Sequence, residues 1–538
     1  MNARFRPHLL FFFISISAAW VMISHQSLWI DENQTAGYAR QPNLREWAQV
    51  MIRLKKSETL MPLGMFVAWL GGRLLGTGEW ELRAVNLLWT AGAGLAMGLI
   101  GRQLKLPWLL LVFLVHPFVW YCTNEARPYA LQICAGAWLL YGIILLATEP
   151  KDSNRAAWVL TLATVTGFGS SLMFAFALAA AAATIGLILY RSERASLRLF
   201  TVAVPAAVAL AFLGLSGAYY LWALRQGAAG ARIWQVSPLN LGFAFYELLG
   251  FSGLGPPRNE LRELVRGGDS LHLFLRQCHL PGLIALALTC FAAIGKCWLA
   301  RRDRMIQLLT LFLSAYGSLI FLVCLIMRFP FWGRHMAPAL PFVVLLIVRL
   351  LSPRAENPWL TEKLVFWLFL ICLTASSLIL RYAPAYGKDD YRSACASAER
   401  ALAAGKTVWW SADPETSAYY GLSEDKQAHR NFFLCYEQTS ESLARLPAPD
   451  LIVRSKPDIH DRFGVIQNYL EGHGFVLVHR FPAFTVWARR GATVEPGWFG
   501  GDGMQEAGHS GKTVAQSQDS RPRGKRAKAS RTAHFAHP

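Results

Sequence analysis

The stretch SHQSLWIDENQT, residues 24–35, carries two adjacent carboxylates, Asp31 and Glu32, directly after the first apolar run of the chain. Acidic side chains are costly beside hydrocarbon, so a pair at this point needs a reason. A carboxylate held there can take a proton as a general base. Two later segments add complementary groups. YCTNEARPYA, residues 121–130, contains Glu125, Arg127 and Tyr129, and RFPFWGRHMAP, residues 328–338, contains Arg334 and His335. Arginine binds phosphate or carboxylate through paired, charge-assisted hydrogen bonds. Each group also has a plain structural reading. Asp31 and Glu32 can favour a helix N-terminus, Glu125 and Arg127 can pair within their loop, and Arg334 and His335 can anchor a helix at an interface. Trp29 and Tyr129 suit an interfacial belt or packing as well as a sugar platform.

These groups meet only if the elements between them put them on one side of a membrane. Of the 538 residues, 54% are hydrophobic and only 16% charged, against about 25% charged in a soluble domain. Long apolar stretches recur, as in an α-helical polytopic membrane protein. The net charge of +19 accompanies no nucleic-acid-binding motif, so nucleic acid is not an expected partner. It fits basic cytoplasmic loops instead.

Runs of spanning length lie near 8–25, 82–101, 106–121, 128–147, 156–171, 173–190, 199–222, 280–299, 305–327, 335–351 and 361–380. With Arg4 and Arg6 inside, the loops bearing Arg102 and Lys105, Lys151 and Arg155, Arg191 to Arg198, Arg301 to Arg304, and Arg349 to Lys363 all fall on that side. This holds only if 60–76 does not span. That run contains Pro62, Gly71-Gly72 and Arg73 and is read as a helix in the outer interface. The expectation is about eleven spans with the N-terminus inside and the C-terminus outside. Gly167 and Gly169 mark either a hairpin between two short spans or a break in a longer one. Asp31, Glu32, Glu125, Arg127 and Arg334 then share the outer face, with a third outer loop made basic by Arg225, Arg232, Arg258 and Arg262.

In the first outer loop, Leu44, Trp47, Ala48, Met51 and Leu54 recur at helical spacing opposite Arg45, Arg53, Lys55 and Lys56. Such a helix lies on an anionic interface or covers other spans. Its Lys55 is counted as a contact for an anionic substrate. After residue 380 the pattern becomes that of a small α/β domain, with strands at 407–411 and 449–455 and then a helix, a Gly turn and two strands. The divisions are 1–380, 381–493 and a basic tail from 494 to 538, whose RPRGKRAK (521–528) reads as solvated or as touching anionic polymer or lipid. Of the 9 cysteines, Cys395 and Cys435 fall in the outer domain, where a disulfide is hypothesised. No nucleotide-binding loop, GxSxG or HExxH is present.

Outside the cytoplasm no nucleotide sugar is expected, so an activated sugar must arrive on a polyprenyl phosphate in the bilayer. An acceptor hydroxyl then needs a base, and the leaving phosphate needs cations. Asp31 is the expected base. Glu32 would orient it or bind a cation, Glu125 would position the sugar or share a metal, and Arg127 would clamp phosphate.

LWIDENQT resembles the acidic first-loop motif of GT-C fold glycosyltransferases, in the branch of protein O-mannosyltransferases and lipid A aminoarabinose transferases. NEARPYALQ (124–132), GTGEWELRAVN (76–86), GRHMAPALPFVVLL (333–346) and DDYRSACASAERAL (389–402) resemble further segments of that branch, in the same order. The resemblance implies an integral membrane glycosyltransferase of the bacterial cytoplasmic membrane with a periplasmic C-terminal domain. It implies a polyprenyl-phosphate sugar donor, transfer to an extracytoplasmic lipid, glycan or protein, and Asp31 as base. Arg334, with His335 where Tyr is common, would contact the donor phosphate. A divalent cation, Mg or Mn, held between Asp31 and Glu125 is left open. A secondary transporter and an envelope polymer ligase or flippase are the competing classes. The spans hold few acids and show no repeat, which counts against the transporter, and the acidic pair after span one counts against all three.

Overall fold

The computed structural model describes residues 6–149, 152–191, 199–228, 238–257, 279–328, 333–353, 360–424, 429–436 and 438–499. The chain forms two units, Met1–Phe499 and Gly500–Pro538. The second, with the 521–528 stretch, lies outside the described residues, as do Arg4, Lys151, Arg194, Arg198, Arg232, Arg258, Arg262 and Arg354.

Among the described residues, seven helices are long and apolar enough to cross a membrane: Glu79–Gln103, Tyr129–Thr148, Val202–Arg225, Leu280–Leu299, Arg304–Met327, Gly333–Leu351 and Leu360–Tyr382. Their burial differs sharply. The Tyr129–Thr148 helix is 83% buried inside the protein, whereas Val202–Arg225 is 6% and Leu280–Leu299 is 17% buried. Leu215, Phe291 and Leu299 on the latter two are among the most exposed apolar residues. Such faces are stable only against an apolar solvent.

The remaining expected spans are shorter or interrupted. In chain order the first helices are α1 (Arg6–Met22), α2 (Ile30–Ala39), α3 (Leu44–Leu54), α4 (Pro62–Leu75), α5 (Glu79–Ala84) and α6 (Asn86–Gln103). They are followed by α7 (Leu109–Leu114), α8 (Pro117–Thr123), α9 (Tyr129–Thr148), α10 (Ser153–Ser170) and α11 (Phe174–Tyr190). The run expected at 106–121 is split into α7 and α8 because Pro117 has no N–H and forces the preceding residue out of the helix. His116 caps the new start, its Nδ1 accepting the Phe118 N–H at 3.2 Å. The stretch 156–190 is two helices, broken at Ser171–Met173, where the Leu172 N–H donates to Leu60 O at 3.0 Å. The 14 residues of α4 extend about 21 Å, less than the hydrocarbon thickness of about 30 Å. On α3, Trp47 and Met51 pack with Tyr38 and Met65, so that face covers the protein.

The central helix α9 packs against α6, α10 and the 3-10 turn Gly333–Ala339. Contact with the turn is close because Gly136 has no side chain; a Cβ there would stand 2.3 Å from Pro338 O.

The C-terminal part is a five-stranded sheet in the order β2-β1-β3-β5-β4. Its strands are β1 (Val408–Ser411), β2 (Phe432–Leu434), β3 (Leu451–Ser455), β4 (Phe475–Phe481) and β5 (Phe484–Arg489). β2, β1 and β3 are parallel, and β5 and β4 complete the sheet antiparallel. Helix Tyr391–Ala403 covers the face carrying Trp410 and Val453. Helix Val465–Gly472 covers the face carrying Trp409 and Ile452. Cys395 lies in the first of these cores and Cys435 in the second, and both are free thiols. This corrects the hypothesised disulfide, since the sheet stands between the two sulfurs. Trp498 is buried in the first core and Phe499 packs against it, so that core reaches beyond residue 493.

This sheet domain sits on the first loop. The Tyr420 hydroxyl accepts the Leu28 N–H at 2.7 Å and donates to Glu79 at 2.6 Å. Arg392 pairs with Glu79 at 2.7 Å.

Candidate active site

Helix α2 starts at Trp29, whose extended backbone makes it the N-cap. Asp31 and Glu32 therefore occupy the first turn, where the helix dipole favours both. One residue of spacing rotates them about 100° apart, and they meet different surroundings.

Glu32 points into the protein and is fully buried. Arg83 grips it with two nearly parallel bonds, Nε to Oε1 at 2.9 Å and Nη2 to Oε2 at 2.7 Å. Lys388 donates to Oε1 at 2.8 Å, as does the Ala126 N–H. Arg83 also binds the carbonyls of Ser24, Gln26 and Ser27 at 2.9, 2.6 and 3.2 Å. Burial by itself would raise the Glu32 carboxyl, but Arg83 and Lys388 outweigh it and hold its pKa well below the ordinary carboxylate range. Glu32 thus ties the first loop, the 121–130 loop and the sheet domain together. Burial and Arg83 push the Lys388 ammonium down, against the pull of Glu32 and Glu125.

Asp31 points the other way and remains partly open, at 26% side-chain exposure. Its Oδ2 accepts from Arg334 Nη1 at 2.7 Å, and Arg334 is 19% exposed. The Arg334 guanidinium lies 5.4 Å from the Trp29 ring centroid and 5.9 Å from that of Tyr129, within cation–π range. The turn carrying Arg334 is pinned by Tyr316, whose hydroxyl donates to His335 O at 2.6 Å. Desolvation raises the Asp31 carboxyl, but Arg334, Arg127 and Lys456 together bring its pKa below the usual value.

Arg127 approaches Asp31 from behind. Its Nη1 donates to the Asp31 backbone carbonyl at 3.2 Å and to Glu58 Oε1 at 2.6 Å. Against the cost of burial, Glu58 raises the Arg127 pKa further, so the guanidinium is charged at every relevant pH. Glu125 faces Lys388 at 3.8 Å. Of the two readings of Glu125 and Arg127, the pair within their loop is not what forms: Arg127 pairs with Glu58 and Glu125 faces Lys388. Asn86 Nδ2 donates to the Thr123 and Glu125 carbonyls at 3.2 and 2.5 Å and fixes the backbone of this buried loop.

The structure thus brings Asp31, Arg127, Tyr129 and Arg334 together with the His335 backbone; Asp31 and Arg334 are partly open, and Arg127 and Tyr129 are buried beside them. Glu32 and Glu125 lie behind them with Lys388. Lys55 is exposed at the C-cap of α3, with φ 50, and neighbouring Lys56 pairs with Glu415 at 2.8 Å. Glu58, Arg83, Lys388 and Lys456 were not anticipated. The available signal was that every acid or base in apolar surroundings requires an opposite charge, which does not say which one.

A divalent ion does not fit these residues. Asp31 and Glu125 both face cations, and among the described residues no three His, Cys, Asp or Glu side chains converge as ligands.

The fold is similar to that of ArnT from Cupriavidus metallidurans, solved bound to undecaprenyl phosphate. The identity is 13% over 89% of this chain and 97% of that chain, with a TM-score of 0.48. The apo state of the same protein gives 14% identity over 90% and 98%, also at 0.48. Arabinofuranosyltransferase AftD from Mycobacteria gives 16% identity and a TM-score of 0.42, over 91% of this chain and 40% of that one. No protein-family profile and no curated protein sequence matches the chain.

Proposed function

We propose that this chain is an integral membrane glycosyltransferase that moves a sugar from a polyprenyl-phosphate carrier to an extracytoplasmic acceptor. The observation that supports this best is the half-open Asp31–Arg334 pair at 2.7 Å. A carboxylate and a guanidinium at one opening are the two groups the transfer needs. The acceptor oxygen attacks the sugar's anomeric carbon, and its proton goes to Asp31 Oδ2. The bond from that carbon to the phosphate oxygen breaks, and its electron pair stays on the phosphate, whose new charge Arg334 meets. When phosphate engages Arg334, Asp31 loses a cationic partner and becomes the stronger base. Arg127 positions Asp31 through its carbonyl. Glu32 holds the loop.

Transfer assays with the purified protein and a panel of polyprenyl-phosphate sugars, read by mass spectrometry, test the reading. A sugar-modified acceptor with the wild type and none with Asp31→Asn is expected. Product formation by Asp31→Asn at the wild-type rate removes Asp31 as base.

A further inference from the structure

The sheet domain supplies a second cation beside Trp29. Lys456 follows β3 directly. In the order β2-β1-β3 the chain leaves β1 to one side for β2 and returns to the other side for β3. The carboxyl ends of β1 and β3 therefore form the switch point of the sheet, where open α/β sheets bind ligands. Lys456 stands there in the left-handed region, at φ 40 and ψ 68, a conformation uncommon for a non-glycine residue. It is 8% exposed. Its ammonium lies 5.2 Å from the Trp29 ring centroid and is paired with Asp389. Arg334 reaches the same ring from the membrane part at 5.4 Å.

Resting on the glycosyl-transfer reading, we infer that Lys456 is a substrate-binding residue which, with Arg334 at the same Trp29 ring, holds the phosphate of the lipid carrier. The charge balance of the reaction explains why two cations are needed. A polyprenyl-phosphate sugar is a phosphodiester with one negative charge. Once the bond to the sugar breaks, the electron pair stays on phosphate, and the monoester carries about −1.5 to −2 near pH 7. Arg334 and Lys456 each have one carboxylate partner, Asp31 and Asp389. A phosphate that acquires a second charge can engage both cations, and the second one favours the charge that appears only as the bond breaks. The sheet domain thereby forms part of the site.

Direct binding to the purified full-length protein tests this, with farnesyl phosphate and the uncharged alcohol farnesol as probes. Wild type is expected to prefer the phosphate. Lys456→Met should lower that preference about tenfold with farnesol affinity unchanged, and Lys456→Arg should retain it. An unchanged preference in Lys456→Met overturns the inference while leaving the transfer reading standing. Equal loss of both probes gives Lys456 a structural role and overturns it too. No preference in the wild type overturns the transfer reading, and the inference with it.

Discussion

The Asp31 carboxylate and the Arg334 guanidinium, 303 positions apart in the chain, lie 2.7 Å from each other. Their contact joins the start of α2 to the turn before the Leu340–Leu351 helix. It leaves both groups partly open, unlike the buried pair Arg83–Glu32. Removing the Asp31 charge should cost turnover about 10²–10⁴-fold, the usual worth of a general base. Asp31→Asn keeps the side-chain volume, so thermal unfolding in detergent should stay close to wild type. A variant that loses activity and stability together would give Asp31 a structural role instead.

Arg334 should govern both donor affinity and the pH profile. With Arg334, Arg127 and Lys456 outweighing burial, the native Asp31 pKa is below that of a free Asp, about 3.9. The base is therefore ionised, and the acid limb of kcat/KM should fall below that pH. Arg334→Met removes the first-ranked of these charges, so the limb should move to higher pH while KM for the donor rises. An acid limb that stays in place would dissociate Arg334 from the base.

Glu32 should matter for stability ahead of chemistry. Glu32→Gln leaves Arg83 and Lys388 buried without their counter-charge, which costs about 3–5 kcal/mol. In the wild type this contribution is complete above the unfolded Glu pKa of about 4.3. It is lost as pH falls through the lower native pKa. Unfolding midpoints measured from pH 7 downward should converge for wild type and Glu32→Gln. Curves that remain parallel would mean that the web is not titrating.

Gly136 should report on the seat of Arg334. A methyl group there meets Pro338 O at 2.3 Å, and backbone cannot yield as a flexible side chain does. Gly136→Ala should displace the Gly333–Ala339 turn and lower turnover. Gly186→Ala, where nothing lies within 4 Å, should be neutral or slightly stabilising. Equal activities in the two variants would show that the turn tolerates movement.

Much of this arrangement is legible along the chain. Apolar runs mark the long helices, and the change of pattern after residue 380 marks the sheet domain with two of its three parallel strands, β1 and β3. These signals are local: hydrophobic spacing decides which segments form a helix or strand, and it extends over a dozen residues. The split at Pro117 follows from the same local rules, although the apolar run around it conceals the break. Asp31 and Glu32 look equivalent in the sequence because adjacent acids in a first turn carry the same dipole argument.

Only the tertiary structure separated them. A helix turns about 100° per residue, so one carboxylate enters the Arg83–Lys388 web and the other meets Arg334. The partners come from positions 51, 356 and 303 residues away, and no local pattern encodes such separations. Charge type and the presence of most helices and strands were settled by the sequence. Which charges face each other was settled by packing, because a buried ion accepts whichever opposite charge the fold delivers to it.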